Sequence, residues 1–180
     1  LKKGVKDMLK YKIVYSSRTG NTGRLAASIY QGLPGYSRDI EEVTKDTGSE
    51  DAETYLVGFW TDRGSCSPDI RDFLKRLSGK RVLLFGTCGS GSDGDSYRKI
   101  EERVKQFISP DCIYLGCYIC QGKMPMHVRE KYQKMLQDRK QKPLAERLIR
   151  NFDRALLHPD QRDCMEAITF VRKCVMEKVS

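Results

Sequence analysis

The chain has 180 residues, of which 39% are apolar and 32% charged, and its net charge is +9. That length suits one domain with a sizeable core, and the composition is that of an ordinary folded protein rather than a disordered tail. No apolar run approaches the roughly 20 residues of a membrane helix, and no zinc-finger, RRM or KH pattern turns the positive charge into a nucleic-acid site.

Residues 1–7, "LKKGVKD", precede Met8 and read as an upstream extension or a cloning remnant, which leaves residues 8–180 as a single domain. Tyr11–Tyr15 is a short apolar run closed by a polar loop, as in a strand. Leu25, Ile29 and Leu33 then recur at helical spacing up to Pro34 and Gly35. "SRDIEEV" (37–43) fits an edge strand, and "TYLVGFW" (54–60) a strand buried on both faces. Ser67, Pro68 and Asp69 make a helix start, with Ile70, Phe73, Leu74 and Leu77 as its buried stripe. "RVLLFGTC" (81–88) is the next strand, and Ile100, Val104, Phe107 and Ile108 mark the next helix. "CIYLGCYIC" (112–120) is a further strand, and Pro159 and Asp160 open a last helix facing inward through Ala167, Phe170, Val171 and Cys174. Such alternation predicts a parallel sheet covered on both sides.

Residues 122–158 do not fit this alternation, because they far exceed an ordinary connection. Val128, Tyr132, Met135 and Leu136 have helical spacing, as do Leu144, Leu148 and Phe152, so two extra helices are expected there. This excursion carries ten basic residues, among them Arg147, Arg150 and Arg154 on one helical stripe. The seven cysteines are odd in number and irregularly spaced, and no secretory signal is visible, so reduced thiols in the cytoplasm are expected. Cys117 and Cys120 form a lone CxxC inside a strand-like run, which reads as core rather than as a redox or metal pair. His127 and His158 have no companion in the sequence that would make them catalytic.

The chemistry concentrates in Ser16–Thr22, where small polar residues crowd a turn between the first strand and the first helix. The first N–H groups of a helix are unpaired and its dipole favours negative charge, so such a turn binds anions. Hydroxyls add donors without bulk, and Gly20 lets the backbone approach closely. A helix cap needs one Ser or Thr; Ser17, Thr19, Asn21 and Thr22 together look like a phosphate cradle. No Walker lysine follows the glycines. Gly89, Gly91 and Gly94 form a GxGxxG, but after a late strand rather than on the first turn where a dinucleotide fingerprint sits.

With these residues in view, "SRTGNT" (17–22) resembles the phosphate loop of flavodoxins, and "GFWTDRGSCSPDIRDFLKRLSGKRVLLFGTCGSG" (58–91) resembles the flavodoxin stretch from the third to the fourth strand. The resemblance spans roughly residues 9–121 and resumes after 159. It implies an α/β fold of three layers, a doubly wound five-stranded parallel sheet of order 2-1-3-4-5 with an extra helical segment before the last helix. FMN would bind at the carboxyl edge of that sheet, a placement for which flavodoxin is itself the standard illustration. It implies Ser17, Arg18, Thr19, Gly20, Asn21 and Thr22 at the phosphate, Trp60, Thr61, Asp62, Arg63 and Gly64 as a first ring-contacting loop, and Thr87, Cys88, Gly89, Ser90, Gly91 and Ser92 as a second, with Tyr97 the nearest aromatic. The chain departs from the family pattern in its small second loop, its basic charge, Asp62 and Arg63 in the first loop, and the excursion. The function implied is electron transfer between redox partner proteins, acidic ones if the basic excursion docks them, with no catalytic residue and no metal; the alternative is an FMN-dependent reductase of a quinone or other small acceptor.

Overall fold

The alternation of apolar and amphipathic runs becomes a wound sheet in the computed structural model, which describes residues 7–91 and 94–177. In chain order the elements are β1 (Leu9–Tyr15), α1 (Asn21–Gly32), β2 (Arg38–Glu42), β3 (Ala52–Asp62), β4 (Ser65–Cys66), α2 (Pro68–Leu74), β5 (Arg81–Cys88), α3 (Gly94–Lys105), β6 (Ile113–Gln121), α4 (Met126–Met135), α5 (Lys142–Ala155) and α6 (Gln161–Met176). Five strands run parallel in the order β2-β1-β3-β5-β6, with Ile13 of β1 opposite both Ile40 and Leu56. Counted among the parallel strands alone, this is the expected 2-1-3-4-5. The chain leaves β1 toward β2 and returns to β3 on the other side, so the switch point lies at the carboxyl ends of β1 and β3, where ligands of such sheets bind.

Period-two alternation assigns the two faces. Tyr55, Val57 and Phe59 of β3 and Val82 and Leu84 of β5 pack with Ile70, Phe73, Ile100 and Val104 of α2 and α3. Leu56, Leu83 and Phe85 point the other way, onto Leu25, Ile29, Ala167 and Val171 of α1 and α6. Cys117 and Cys120, three residues apart in β6, fall on opposite faces in these two clusters. Burial pushes both thiols well above their ordinary pKa, which keeps them protonated and unreactive. The CxxC is therefore core, as its strand-like setting implies.

Local details differ from the sequence reading. The short strand β4 was not expected; it folds antiparallel onto β3 through the pair Asp62–Ser65. Arg63 and Gly64 make its turn with φ of 49° and 79°, the left-handed pair that a two-residue hairpin demands. Helix α3 stops at Lys105, and Phe107 and Ile108 pack on the core from the turns after it. The excursion does form two helices, but the stripe of α5 is shifted. Ala145, Phe152 and Ala155 are buried, whereas Leu144 is exposed. Arg129 of α4 pairs with Asp153 of α5 at 2.9 Å. Helix α6 begins with a capping box, in which the Asp160 carboxylate accepts from Asp163 N at 2.9 Å and Asp160 N donates to the Asp163 carboxylate at 2.8 Å. Among the described residues no helix is long and apolar enough to cross a membrane.

Candidate functional site

The loop Ser16–Gly20 leaves β1 at the switch point and enters α1 through Gly20, whose φ of 83° is left-handed. No heavy atom lies within 4 Å of where a Gly20 Cβ would stand, so the site above it is open and its glycine is required by conformation, not crowding. No side chain caps α1 from its N-cap position, and no acid stands in its first turn. Ser17 Oγ does accept from Gly23 N at 3.1 Å, which fixes the loop against the helix. Behind the loop, Ser16 Oγ donates to Asp69 at 2.7 Å, and Ser67 also donates to that carboxylate. Partial burial works to raise the Asp69 pKa, but these hydroxyl donors outweigh it and hold the carboxyl below its usual range.

The carboxyl edge encloses a cavity of about 150 Å3 lined by Arg18, Thr19, Asn21, Trp60, Thr61, Thr87 and Gly89 together with residues 122–125, His127 and Val128. Seven of the expected site residues thus meet at one place. Trp60 is half-buried, and the Arg18 guanidinium lies 5.4 Å from its ring centroid. Thr61 Oγ1 is buried and has no hydrogen-bond partner among the described residues, an acceptor and donor left for something in the cavity. Thr22 is placed otherwise: its hydroxyl is fully buried and bonds Thr87 Oγ1 at 3.0 Å, so it braces the loop against β5. Asp62, Arg63 and Gly64 belong to the β3–β4 hairpin, where Gly64 O accepts from Arg103 at 3.4 Å, and do not line the cavity. Cys88 is buried with its Sγ 3.1 Å from Ser90 Oγ. Ser90, Gly91 and Tyr97 line a second, larger cavity on the far side of β6. Ser92 lies outside the described residues.

Several residues at this edge were not anticipated. Asn21 Nδ2 donates to Lys123 O at 2.8 Å, and Gly122 N to Cys88 O at 3.1 Å, so the chain leaving β6 is strapped across the phosphate loop and the end of β5. Met124 packs against Gly89, where a Cβ would collide with it. Lys123 and His127 line the same cavity and add an ammonium and an imidazole to the hydroxyls and the Arg18 guanidinium. Asn151 of α5 accepts from Gly91 N and from Gln121 Nε2, each at 3.0 Å, and donates to Gly89 O at 3.1 Å. Residues 122–124 follow directly on the carboxyl end of the last strand, a position that could have been read as part of the site. Nothing local marks Asn151, whose partners stand 60 and 62 residues away in sequence.

A family profile for the flavodoxin domain matches residues 12–172, nearly the whole chain. The chain belongs to the flavodoxin family. Among relatives of this flavodoxin-like chain is the flavodoxin-like domain-containing protein BilS of Clostridioides difficile, 30% identical over 173 residues that cover 94% of this chain and 98% of the relative. The protein of the same description from Clostridium symbiosum is 34% identical over 173 residues, covering 86% and 90% of the two chains. A solved structure from Bacteroides uniformis superposes with a TM-score of 0.51 at 18% identity, covering 71% of this chain and 99% of that one, which is a likeness of fold. Residues 122–158 lie within the span of the family match.

Proposed function

We propose that the chain binds FMN at this edge and carries electrons between redox partner proteins. The observation that supports the reading most strongly is the meeting, at one switch-point cavity, of a helix start with no side-chain cap at left-handed Gly20, the half-buried Trp60 and the unpartnered Thr61 hydroxyl. The donor set fits the cofactor. Ser17, Thr19, Gly20 and Asn21 would hold the phosphate through hydroxyls, amides and the helix dipole, with Arg18 adding charge. Trp60, Thr61, Thr87 and Gly89 would border the ring, and an aromatic partner adds about 1 kcal/mol beyond area burial. FMN supplies reversible uptake of one or two electrons. The chain's own residues bind it, orient it and keep water away, and none has to act as a general acid or base. Small-molecule pockets start near roughly 300 Å3, so the segment from Met124 to Val128 has to draw back when the ring enters. Seven free cysteines suit a reducing compartment such as the cytoplasm.

The reductase alternative is favoured by one observation, the large cavity beside Ser90 and Gly91, which has room for a small acceptor. The test is to load the protein with FMN, reduce it with light, and add either a cytochrome or a quinone. A carrier passes electrons to the protein acceptor and shows no steady-state turnover with a nicotinamide cofactor and quinone. Sustained nicotinamide–quinone turnover would make it a reductase, and failure to retain FMN would remove both readings.

A further inference from the structure

The second cavity has a chemistry that the cofactor reading does not use. It measures about 710 Å3 and is lined by residues 118–121 of the edge strand β6, by α5, by the start of α6, and by Ser90, Gly91 and Tyr97. Its charges are unevenly committed. Of the two acids in its wall, Asp163 accepts from His158 Nδ1 at 2.6 Å and from Asp160 N at 2.8 Å. Glu166 accepts from Arg162 at 2.8 Å and from the Tyr118 hydroxyl at 3.5 Å. The two cations in the wall, Arg147 and Arg154, form no ion pair among the described residues. They stand seven residues apart on α5, two helical turns or about 10 Å, on the same face as Asn151, which ties that helix to Gly89 and Gly91. Arg150, which shares their expected stripe, does not line the cavity. Tyr97 and Tyr118 add aromatic surface to the wall.

We propose that this cavity is a binding site for a small organic anion with a planar body and carboxylates at its two ends, held by Arg147 and Arg154. A guanidinium fork matches a carboxylate in two parallel hydrogen bonds, and two forks two turns apart select for charge separation as well as charge. The acids are engaged by other partners, and among the described residues neither forms an ion pair with Arg147 or Arg154. The aromatic wall rewards a flat ligand over a hydrated inorganic ion. The site stands on its own residues and is independent of what occupies the Trp60 cavity.

The test is calorimetric titration of the full chain, with and without FMN, using biphenyl-4,4'-dicarboxylate and the uncharged biphenyl-4,4'-dicarboxamide. The dicarboxylate should bind at least tenfold tighter than the diamide. Arg147→Gln and Arg154→Gln should each weaken it by about tenfold, the usual loss for one charge-assisted pair, while Arg150→Gln should leave it unchanged. Equal binding of acid and amide, no binding of either, or an equal loss in Arg150→Gln would each overturn the proposal. The last result would mean adsorption to a basic surface. A protein that binds the dicarboxylate but not FMN would uphold this site and refute the cofactor reading; the reverse would do the opposite.

Discussion

Thr22 shows how a residue with a correct address can have a different task. Its place in the "SRTGNT" turn reads as a phosphate donor, and its neighbours Thr19 and Asn21 do line the cavity, yet the Thr22 hydroxyl is turned inward onto Thr87. Sequence reports the class of a side chain and its position along the loop; the rotamer is decided by the strand behind it, which lies 65 residues away. The consequence is measurable as stability. Thr22→Ala leaves the Thr87 hydroxyl buried and unpaired, a loss of about 1–3 kcal/mol, whereas Thr22→Ser keeps the bond and Thr19→Ala, half-exposed in the loop, should change stability by less than about 0.5 kcal/mol. Urea midpoints of the three variants check this. Equal midpoints for Thr22→Ala and Thr22→Ser would mean that the hydroxyl pair contributes nothing.

Among the elements, the excursion is where sequence and structure diverge in detail and where function accumulates. Its two helices are readable from apolar spacing, although of the residues that spacing marked only Phe152 is buried and α4 buries none. Its tie to the glycine loop is not readable, since that runs through the side-chain amide of Asn151. Asn151→Leu should speed hydrogen exchange at the Gly91 amide several-fold, while Asn151→Asp, which still accepts from Gly91 N and Gln121, should not. Unchanged exchange in the leucine variant would show that the glycine loop holds itself. The same helix pair carries the excess of basic residues, and docking of an acidic redox partner on it would act mainly on association rate. Inter-protein electron transfer should then slow as salt shortens the screening length toward about 8 Å at physiological strength, and slow further in Arg150→Glu with Lys142→Glu. A rate indifferent to both would leave the basic face a solvated surface. Strand β4 is the opposite case. The resemblance puts Asp62, Arg63 and Gly64 in a ring-contacting loop, and a left-handed pair followed by a two-residue strand folds them into a hairpin.

At the scale of the whole molecule, the alternation of strands and helices made a parallel sheet covered on both sides readable, while the strand order came from the resemblance to flavodoxins. What alternation leaves out are the polar clusters that join distant segments, and these set the pH range. Lys12 is almost fully buried, donates to Asp51 at 2.7 Å and forms an ion pair with Glu41 at 2.9 Å. Burial pulls the Lys12 pKa down, but the two carboxylates outweigh it and raise it above 10.5; burial likewise works to raise Asp51, but Lys12 and Tyr55 hold it below 3.8. Stability from the lysine is present below its unfolded pKa and is lost as pH rises through the raised folded value; stability from Asp51 and Asp69 is present above the carboxylate range and is lost as pH falls through their lowered values. Thermal melting against pH should show a neutral plateau with losses below about 3.8 and above about 10.5, and Lys12→Met should flatten both limbs; unchanged limbs would mean the cluster is not linked to folding. The central claim, a phosphate cradle at Gly20 beside Trp60, is tested most directly by titrating the flavin-free chain with FMN and with riboflavin while following fluorescence of Trp60, its only tryptophan. The account predicts strong quenching by both, tighter binding of FMN, and a loss of about 1.5 kcal/mol or more in Thr19→Ala that falls on FMN alone. Equal affinity for the two ligands, or emission from Trp60 unchanged at saturating FMN, would contradict it.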